Sequence, residues 1–240
     1  MKILQRAADA ALSIFYPPHC AMCGADTRAG RHLCEPCAEK SVRIEAPFCR
    51  QCSQPFDGAI DGTFTCSNCE DRQFHFDCAV SRYRSTGLVR ELVHRFKYDR
   101  CLYLRQTLAA WLAETLDDAR ITAHRFDYLV PVPLHAARQR DREFNQASIL
   151  AELIAERHGE VVLHALKRIR YTTTQTRLDR EERMQNLRNA FRVQQARRVA
   201  DSHLILVDDV FTTGSTVDEC ARVLKKAGAA SVRVITVARG

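Results

Sequence analysis

The chain has 240 residues, of which 46% are apolar and 27% are charged. This composition suits a protein with a buried core and excludes disorder along the whole chain. No run approaches the roughly 18 uninterrupted apolar residues of a transmembrane helix. Arg6 and Asp9 interrupt the N-terminal stretch before the apolar run of a signal peptide forms. The sequence therefore predicts a cytoplasmic protein with no membrane span.

The formal net charge of +7 is concentrated in one segment of the chain. Residues 165–198 carry ten basic and three acidic side chains, whereas the segments on either side of them are close to neutral. A local positive field of this kind favours a polyanionic partner, either a diphosphate or a nucleic-acid backbone. The alternative interpretation is an arginine-rich helix face exposed to solvent.

The chain divides into two predicted domains, residues 1–75 and residues 76–240. Residues 1–16 have apolar side chains at helical spacing, which predicts a short amphipathic helix that ends at Pro17 and docks on the rest of the protein. The segment that follows is rich in Cys, Gly, Pro and Asp. It has few apolar runs, so it needs a bound metal or a comparable cross-link in order to fold.

The second predicted domain alternates strands with helices. The predicted strands are residues 76–83, 128–133, 204–207 and 232–237, and the predicted helices are residues 88–96, 104–116, 146–157 and 216–227. We expect Trp111 in the core and Gly228 at the end of the last helix. The alternation indicates a parallel sheet with crossover helices.

Eight of the eleven cysteines form four Cys-x-x-Cys pairs. The pairs are Cys20 with Cys23, Cys34 with Cys37, Cys49 with Cys52, and Cys66 with Cys69. In a reducing compartment, thiols at this spacing indicate metal ligands and not disulfides. Four thiolates complete a tetrahedral zinc site with no open position for catalysis. The eight ligands therefore predict two structural zinc ions.

The simplest arrangement places the first two pairs on one zinc ion and the last two pairs on the other. An interleaved arrangement and an iron–sulfur cluster are the alternatives. Gly24 follows the first pair, where a metal-binding turn needs a positive φ. We do not expect His19, His32 or His75 to be ligands. Three cysteines stand singly and are expected to be buried as small apolar residues; they are Cys78, Cys101 and Cys220.

The most informative stretch is LILVDDVFTTGST, residues 204–216. An apolar strand delivers Asp208 and Asp209 at its carboxyl end, and a turn rich in hydroxyl groups then begins a helix. Ligands bind at this position in open α/β sheets, and the turn and the helix N-terminus suit an anion. Carboxylates suit sugar hydroxyls or a hard cation. The stretch predicts a phosphorylated-sugar site; the alternative is a helix cap beside a solvated acidic turn.

This stretch is similar to the phosphoribosyl-pyrophosphate-binding signature of type I phosphoribosyltransferases. Further stretches extend the resemblance over essentially the whole chain, to the competence protein F family, also called ComF or GntX. These stretches are YPPHC (16–20), PVPLH (131–135), REFNQ (142–146), residues 168–175, Arg183 with Asn186, and TVAR (236–239). The family usually has glycine where Glu143 stands, which puts in question the backbone conformation of that loop.

The resemblance implies a fold, a role and a ligand. The implied fold is α/β, a type I phosphoribosyltransferase-like parallel sheet with flanking helices, preceded by a small double zinc-ribbon domain. The implied role lies in natural competence, the uptake and utilisation of DNA, with other DNA-uptake proteins as candidate partners. The implied ligand is phosphoribosyl pyrophosphate, with Mg²⁺ bridging its diphosphate.

The resemblance also implies functional residues. Asp208 and Asp209 would hold the ribose hydroxyls and are the candidate catalytic residues, and the turn after them would hold the 5′-phosphate. The candidate phosphoribosyl-pyrophosphate-binding residues are Asp208, Asp209, Val210, Phe211, Thr212, Thr213, Gly214, Ser215 and Thr216. The candidate cationic clamp for the diphosphate or for DNA phosphates comprises Arg138, Arg140, Arg142, Lys167, Arg168 and Arg170.

Three functions remain open at this point. The first, which we favour, is a phosphoribosyltransferase with an unidentified acceptor. The second is a protein that binds single-stranded DNA through its basic segment, although the aromatic residues needed for base stacking are sparse there. The third is a regulator that senses phosphoribosyl pyrophosphate without turnover. Residues 171–187 are expected to form a loop and a helix that close over the crevice or contact DNA phosphates.

Overall fold

A computed structural model describes residues 19–28, 31–58, 60, 64–99, 101–170 and 187–240. The predicted N-terminal helix, the predicted loop and helix after residue 170, and the pair Arg183 and Asn186 lie outside the described residues. Within the described part of the chain, no helix combines the length and the apolarity needed to cross a membrane.

The described elements follow the predicted alternation of strands and helices. The strands are β1 (Ala79–Arg84), β2 (Tyr128–Pro131), β3 (Leu166–Arg168), β4 (Phe191–Val193), β5 (His203–Phe211) and β6 (Ser231–Arg239). The α-helices are α1 (Glu35–Ala38), α2 (Ser67–Glu70), α3 (Gly87–Tyr98), α4 (Arg105–Ala113), α5 (Ala119–Thr122), α6 (Ala136–Arg142), α7 (Gln146–His158), α8 (Ala196–Val199) and α9 (Ser215–Lys226). Short 3-10 turns flank α4 at Leu102–Leu104 and Glu114–Asp117.

The main sheet has four parallel strands, in the order β1-β6-β5-β2. The predicted parallel sheet is confirmed; the sequence did not predict the strand order. The two central strands, β5 and β6, consist largely of buried residues, which is the pattern of a parallel sheet covered on both faces. Both edges of the sheet are covered. Arg43 forms an antiparallel bridge with Tyr83 of β1, and Val162 forms a parallel bridge with Leu129 of β2.

Strand β5 is longer than predicted. The prediction ends the strand at Val207, because the apolar run stops there, but β5 continues to Phe211. The reason is that β6 supplies backbone partners along the whole length, with Asp208 opposite Thr236 and Phe211 opposite Arg239. The two aspartates therefore lie within the strand, where the hydrogen-bonded ladder fixes their positions.

A second, two-stranded antiparallel sheet was not predicted. It pairs β3 with β4, in the register Leu166 opposite Val193 and Arg168 opposite Phe191. Each strand has only three residues and contains charged side chains, two in LKR of β3 and one in FRV of β4, so neither stands out in the hydropathy pattern. This small sheet brings the buried side chain of Arg168 toward the carboxyl end of β5.

The apolar core lies in two layers, one on each face of the main sheet. Successive residues of β5 alternate between the layers, with Leu204 and Leu206 in one and Ile205 and Val207 in the other. The first layer also contains α9 residues and four cysteines, which are Cys49, Cys52, Cys66 and Cys69. The second layer contains α3, α4 and α7 residues together with Cys20, Cys37 and Trp111. The predicted core position of Trp111 is confirmed.

Candidate functional site

The carboxyl end of β5 presents Asp208 and Asp209, the acidic pair, to opposite faces of the sheet because strand side chains alternate. The Asp209 carboxylate forms an ion pair with Lys97 of α3, with Oδ1 and Nζ 2.7 Å apart. The backbone N–H of Asp209 donates to Oδ1 of Asp208 over 2.9 Å. The acidic pair is therefore held by one lysine and by its own backbone.

The surroundings of the acidic pair shift the pKa of one of its carboxyl groups to near neutral pH. Burial, followed by the charge of Asp209, raises the pKa of Asp208 to about 7, although Lys97 opposes this shift. Burial acts to lower the pKa of Lys97, but the charge of Asp209, the hydrogen bond to it and the charge of Asp208 together outweigh burial and raise that pKa. Lys97 is therefore charged at neutral pH, and Asp208 gains or loses a proton in the physiological range.

The turn after β5, residues 212–216, is called the hydroxyl loop here. Gly214 has φ of 78°, and a Cβ on it would lie 2.6 Å from the Phe211 ring, so only glycine fits. The Thr213 and Ser215 hydroxyl oxygens are 3.0 Å apart, and the 12-residue helix α9 begins at Ser215. Hydroxyl groups and a helix N-terminus at the end of a parallel strand form an anion-binding arrangement.

A pocket of about 460 Å³ opens in front of the acidic pair. The acidic pair, Val210, Thr212 and Thr216 line one side of it. From the predicted cationic clamp, Arg142 and Arg168 line the pocket. The described lining does not include Arg140, Lys167 or Arg170, and the side chain of Arg138 lies outside the described residues. The remaining predicted loop residues, from Phe211 through Ser215, line a small cavity behind Thr212.

Besides Val93, helix α3 contributes four polar or aromatic pocket residues that the sequence analysis missed; they are Arg90, His94, Lys97 and Tyr98. Tyr98 lies between His94, whose ring centroid is 4.8 Å away, and Arg142, whose guanidinium is 4.5 Å from the Tyr98 ring. The sequence does contain a pattern that groups these four residues, because their positions have the spacing i, i+4, i+7 and i+8 and so share one helix face. Such a polar face is usually solvent-exposed, so the pattern alone did not indicate a site.

The stretch REFNQ, residues 142–146, connects helix α6 to helix α7 beside the pocket. Asn145 caps α7 by accepting from the Ala147 N–H over 3.1 Å, and its side-chain amide donates to the Val132 carbonyl over 3.0 Å. Glu143 is exposed and has φ of 67° at the end of α6. This left-handed conformation is the one that glycine adopts without strain. The loop therefore keeps a glycine-like backbone despite the substitution.

The cysteines form two groups, called here the first and the second cysteine cluster. The first comprises Cys20, Cys23, Cys34 and Cys37, and the second comprises Cys49, Cys52, Cys66 and Cys69. Within each cluster the sulfur atoms lie within 4.8 Å of one another. The pairs are therefore combined sequentially and not interleaved.

The sulfur geometry fits a tetrahedral zinc ion. Four sulfurs at a Zn–S distance of ~2.3 Å lie about 3.8 Å apart. The Cys23 and Cys34 sulfurs are 3.6 Å apart, and the Cys52 and Cys66 sulfurs are 3.7 Å apart. Gly24 has the expected positive φ, 74°. Both clusters therefore suit zinc.

One thiol in each cluster is predisposed to ionise. A hydrogen bond from the Cys52 thiol, aided by the Cys66 N–H, lowers the pKa of Cys49 to about 4 in spite of its burial. Burial acts to raise the pKa of Cys20, but backbone N–H groups of the two turns outweigh it and lower that pKa to about 6. Thiolates formed near neutral pH favour metal binding.

The histidines near the clusters have other partners. His19 lies 3.0 Å from a carboxylate oxygen of Asp26, the His32 ring lies against Tyr103, and His75 contacts Asp218. Of the single cysteines, Cys220 is buried as expected. Cys78 and Cys101 are only half-buried, which corrects the expectation, because both lie in connections between elements.

Comparisons with known proteins agree with this architecture. Residues 11–71 match the double zinc ribbon domain, and residues 145–240 match the phosphoribosyl transferase domain. Among solved structures, glutamine phosphoribosylpyrophosphate amidotransferase from B. subtilis is 23% identical over 54% of this chain and 25% of its own, with a TM-score of 0.37. The two family matches show that the chain combines a phosphoribosyl transferase domain with an N-terminal double zinc ribbon.

Full-length relatives define the family. Competence protein F of Haemophilus influenzae is 31% identical over 236 residues, 94% of this chain and 98% of that protein. DNA utilization protein YhgH of Salmonella typhimurium is 35% identical over 214 residues, 86% of this chain and 90% of that protein. Competence protein ComFC of Bacillus subtilis is 27% identical over 214 residues, 86% of this chain and 84% of that protein. The chain belongs to the competence protein F family.

Proposed function

We propose that this protein binds phosphoribosyl pyrophosphate at the carboxyl end of β5 and acts in the uptake and utilisation of DNA. The single observation that most supports this ligand is that the acidic pair is joined directly to the hydroxyl loop and to the N-terminus of α9. The proposed role in DNA handling draws on what the relatives' names say of them, competence and DNA utilization.

The ligand's groups match the groups around the pocket. The hydroxyl loop and the N-terminus of α9 would bind the 5′-phosphate, and the carboxylates of Asp208 and Asp209 would accept hydrogen bonds from the ribose hydroxyls. Arg142 and Arg168 line the pocket and would bind the diphosphate. Mg²⁺ bound with the ligand would neutralise part of the diphosphate charge.

The same residues would support transfer of the ribosyl group to an acceptor. Breaking the bond to the diphosphate leaves positive charge on the sugar and negative charge on the leaving group. Arg142 and Arg168 would stabilise the leaving diphosphate, and the acidic pair would stabilise the sugar. Lys97 would fix the orientation of Asp209 through their 2.7 Å ion pair. We favour a transferase on these grounds.

A specific observation favours single-stranded DNA as a second ligand. Lys167 of β3 and Arg192 of β4 are register partners, and both side chains are exposed. Two like charges opposite each other on a strand pair destabilise it unless an anion bridges them. Affinity for an oligonucleotide should then fall steeply with salt, and Lys167→Ala/Arg192→Ala should reduce both the affinity and the salt dependence. Binding that is undetectable or independent of salt would contradict this second function.

Titration calorimetry with phosphoribosyl pyrophosphate and Mg²⁺ tests the first function. We expect wild type to bind and Asp208→Asn/Asp209→Asn to lose at least about 100-fold in affinity, because each substitution removes a negative charge and replaces one acceptor oxygen by an NH2 donor. Asp201→Asn, a change at an exposed turn before β5, is the matched control and should bind like wild type. A cooperative thermal transition in each protein would show that all variants are folded. No binding by wild type, or unchanged binding by the double variant, would overturn the proposal.

A further inference from the structure

The rear of the hydroxyl loop is held by residues that adjoin the second cysteine cluster. We propose that Arg72 is a positioning residue for this loop, and that metal in the second cluster fixes Arg72 and thereby sets the affinity for the sugar phosphate. This inference rests on the proposed function, because it concerns the same site. It assigns the second zinc ion a part in ligand binding, beyond holding the ribbon together.

Arg72 joins the second cluster to the hydroxyl loop directly. Its Nη1 donates to the carbonyl of Thr213 over 3.0 Å, across 141 positions of sequence. Its own backbone N–H donates to the carbonyl of Cys69, a cluster residue, over 3.3 Å. The guanidinium lies 4.3 Å from the centroid of the Phe74 ring, which limits its rotation. The position of Thr213 therefore depends on the position of the cluster.

Arg239 makes a second connection on the same side of the loop. Its Nη2 lies 3.9 Å from the sulfur of Cys52, and its Nη1 donates to the carbonyl of Phe211 over 3.4 Å. Arg239 is buried. Four thiolates around one Zn²⁺ carry a net negative charge, and N–H groups donated to such sulfurs orient the ligands. Metal in the second cluster would thus also hold Arg239 against the start of the loop.

The segment after the cluster also holds the far end of the loop. The backbone N–H of His75 donates to a carboxylate oxygen of Asp218 over 2.7 Å. Asp218 lies in the first turn of α9, and its own N–H donates to the carbonyl of Gly214 over 2.8 Å. Residues 72–75 therefore contact both the loop and the helix that follows it. The first cysteine cluster packs with the core layer on the opposite face of the sheet, so it is an internal control.

Calorimetry with three probes distinguishes an effect of Arg72 on the position of the hydroxyl loop from a general loss of protein stability. The probes are ribose 5-phosphate, phosphoribosyl pyrophosphate with Mg²⁺, and inorganic pyrophosphate with Mg²⁺. We expect Arg72→Ala to weaken the two sugar phosphates by about tenfold, the loss expected for one charge-assisted hydrogen bond. Pyrophosphate should change by less than about twofold, because Arg72 does not line the pocket of the diphosphate-binding arginines. A merely destabilising change would not discriminate among the probes.

Two further variants sharpen the experiment. Arg72→Lys retains one donor and should recover part of the affinity, which alanine cannot do. Arg31→Ala is the matched control, because Arg31 pairs with Glu35 of α1 beside the first cluster, and it should bind all probes like wild type. Metal analysis should find the same zinc content in wild type and in the three variants, so that any loss of binding is assigned to the side chain.

Hydrogen exchange gives a readout that needs no ligand. We expect amide exchange in the peptide covering residues 211–217 to rise in Arg72→Ala, and to rise in wild type when a chelator removes the zinc. If Arg72→Ala changes neither the exchange nor the sugar-phosphate affinity, the inference is overturned while the proposed function stands. If wild type binds no probe, the proposed function fails, and the exchange measurement alone then decides whether Arg72 positions the loop.

Discussion

The two cysteine clusters share one sequence motif and one sulfur geometry, but they differ in their surroundings. In the first cluster Cys23 is exposed and Cys34 is half-buried, whereas all four cysteines of the second cluster are buried. The first cluster lies against α3, where Arg95 donates to the carbonyl of Ala21. The second shares an apolar core with β5 and α9. Identical ligand spacing therefore does not fix how deeply a zinc site is built into a protein.

This difference affects whether the zinc ribbon can unfold independently of the main sheet. The sequence predicts a domain boundary at residue 75, and that boundary stays a prediction. Contacts nevertheless cross it at the second cluster, where the Ala79 N–H donates to the Gln51 carbonyl over 2.8 Å and the Ser53 hydroxyl donates to the Ala79 carbonyl over 2.9 Å. These bonds attach the turn that contains Cys49 and Cys52, in the second cluster, to the start of β1. We expect loss of the second metal to weaken the sheet itself.

Substituting one cysteine in each cluster should have the largest effect. We expect Cys52→Ser to lower the free energy of unfolding by roughly 4 kcal/mol, because it removes a buried ligand and its metal from a shared core. Cys23→Ser should cost the sheet about 1 kcal/mol or less. Urea unfolding followed by the fluorescence of Trp111, the single tryptophan, reports on the sheet. Cys101→Ser, at a half-buried single cysteine, is the control. Equal losses for the two clusters would contradict the comparison.

Zinc release should separate the two clusters in time. A chelator reaches the exposed first cluster readily, whereas the second must wait for local unfolding of the core. We expect two kinetic phases of zinc release, with Trp111 fluorescence changing only in the slow phase. Cys23→Ser should remove the fast phase and leave the slow one. Release in a single phase accompanied by loss of Trp111 fluorescence would show that the clusters are equally integrated.

The acidic pair extends the comparison, because Asp209 contacts α3 on the side of the first cluster and Asp208 faces the side of the second. The raised pKa of Asp208, about 7, means that its ionised form grows between pH 6 and pH 8. The ionised form is the better acceptor for ribose hydroxyls. Affinity for phosphoribosyl pyrophosphate should therefore rise by about tenfold over this range, measured by calorimetry.

Asp208→Asn is the control for this pH dependence, because the ligand's own phosphates also titrate. It should retain only the dependence that the ligand causes. The effect of this titration on stability is opposite to its effect on binding: as pH rises, affinity increases whereas the stability of the folded state decreases. A carboxyl whose pKa is raised by folding destabilises the folded state progressively as pH rises from the ordinary pKa of 3.8 to about 7, because only the unfolded form ionises in that range. Relative to Asp208→Asn, wild type should thus unfold more easily at pH 8 than at pH 5. An identical pH dependence of binding in both proteins would assign the titration to another group.

Sequence patterns revealed the parts of the molecule that depend on local chemistry. The apolar runs of β5 and β6, the four cysteine pairs and the glycine of the hydroxyl loop were all readable, because each follows from hydropathy, ligand spacing or backbone strain. The contacts of Lys97 and Arg72 could not be predicted from the sequence. Lys97 lies on a polar helix face that resembles a solvated one, and Arg72 meets Thr213 only because the fold brings distant segments together. Contacts of that kind depend on topology.

The smallest expected effect concerns the outer surface of the first cluster. The His32 and Tyr103 rings lie 4.8 Å apart at an interplanar angle of 57°, and Tyr103 is exposed. Such a pair contributes about 0.5 kcal/mol, so Tyr103→Ala should speed the fast phase of zinc release about twofold. The Trp111 unfolding midpoint should stay unchanged, since this contact lies outside the sheet core. Tyr98→Ala removes another exposed tyrosine of the same region and should leave zinc release unaltered. A shifted midpoint in Tyr103→Ala would mean that the first cluster, too, supports the sheet.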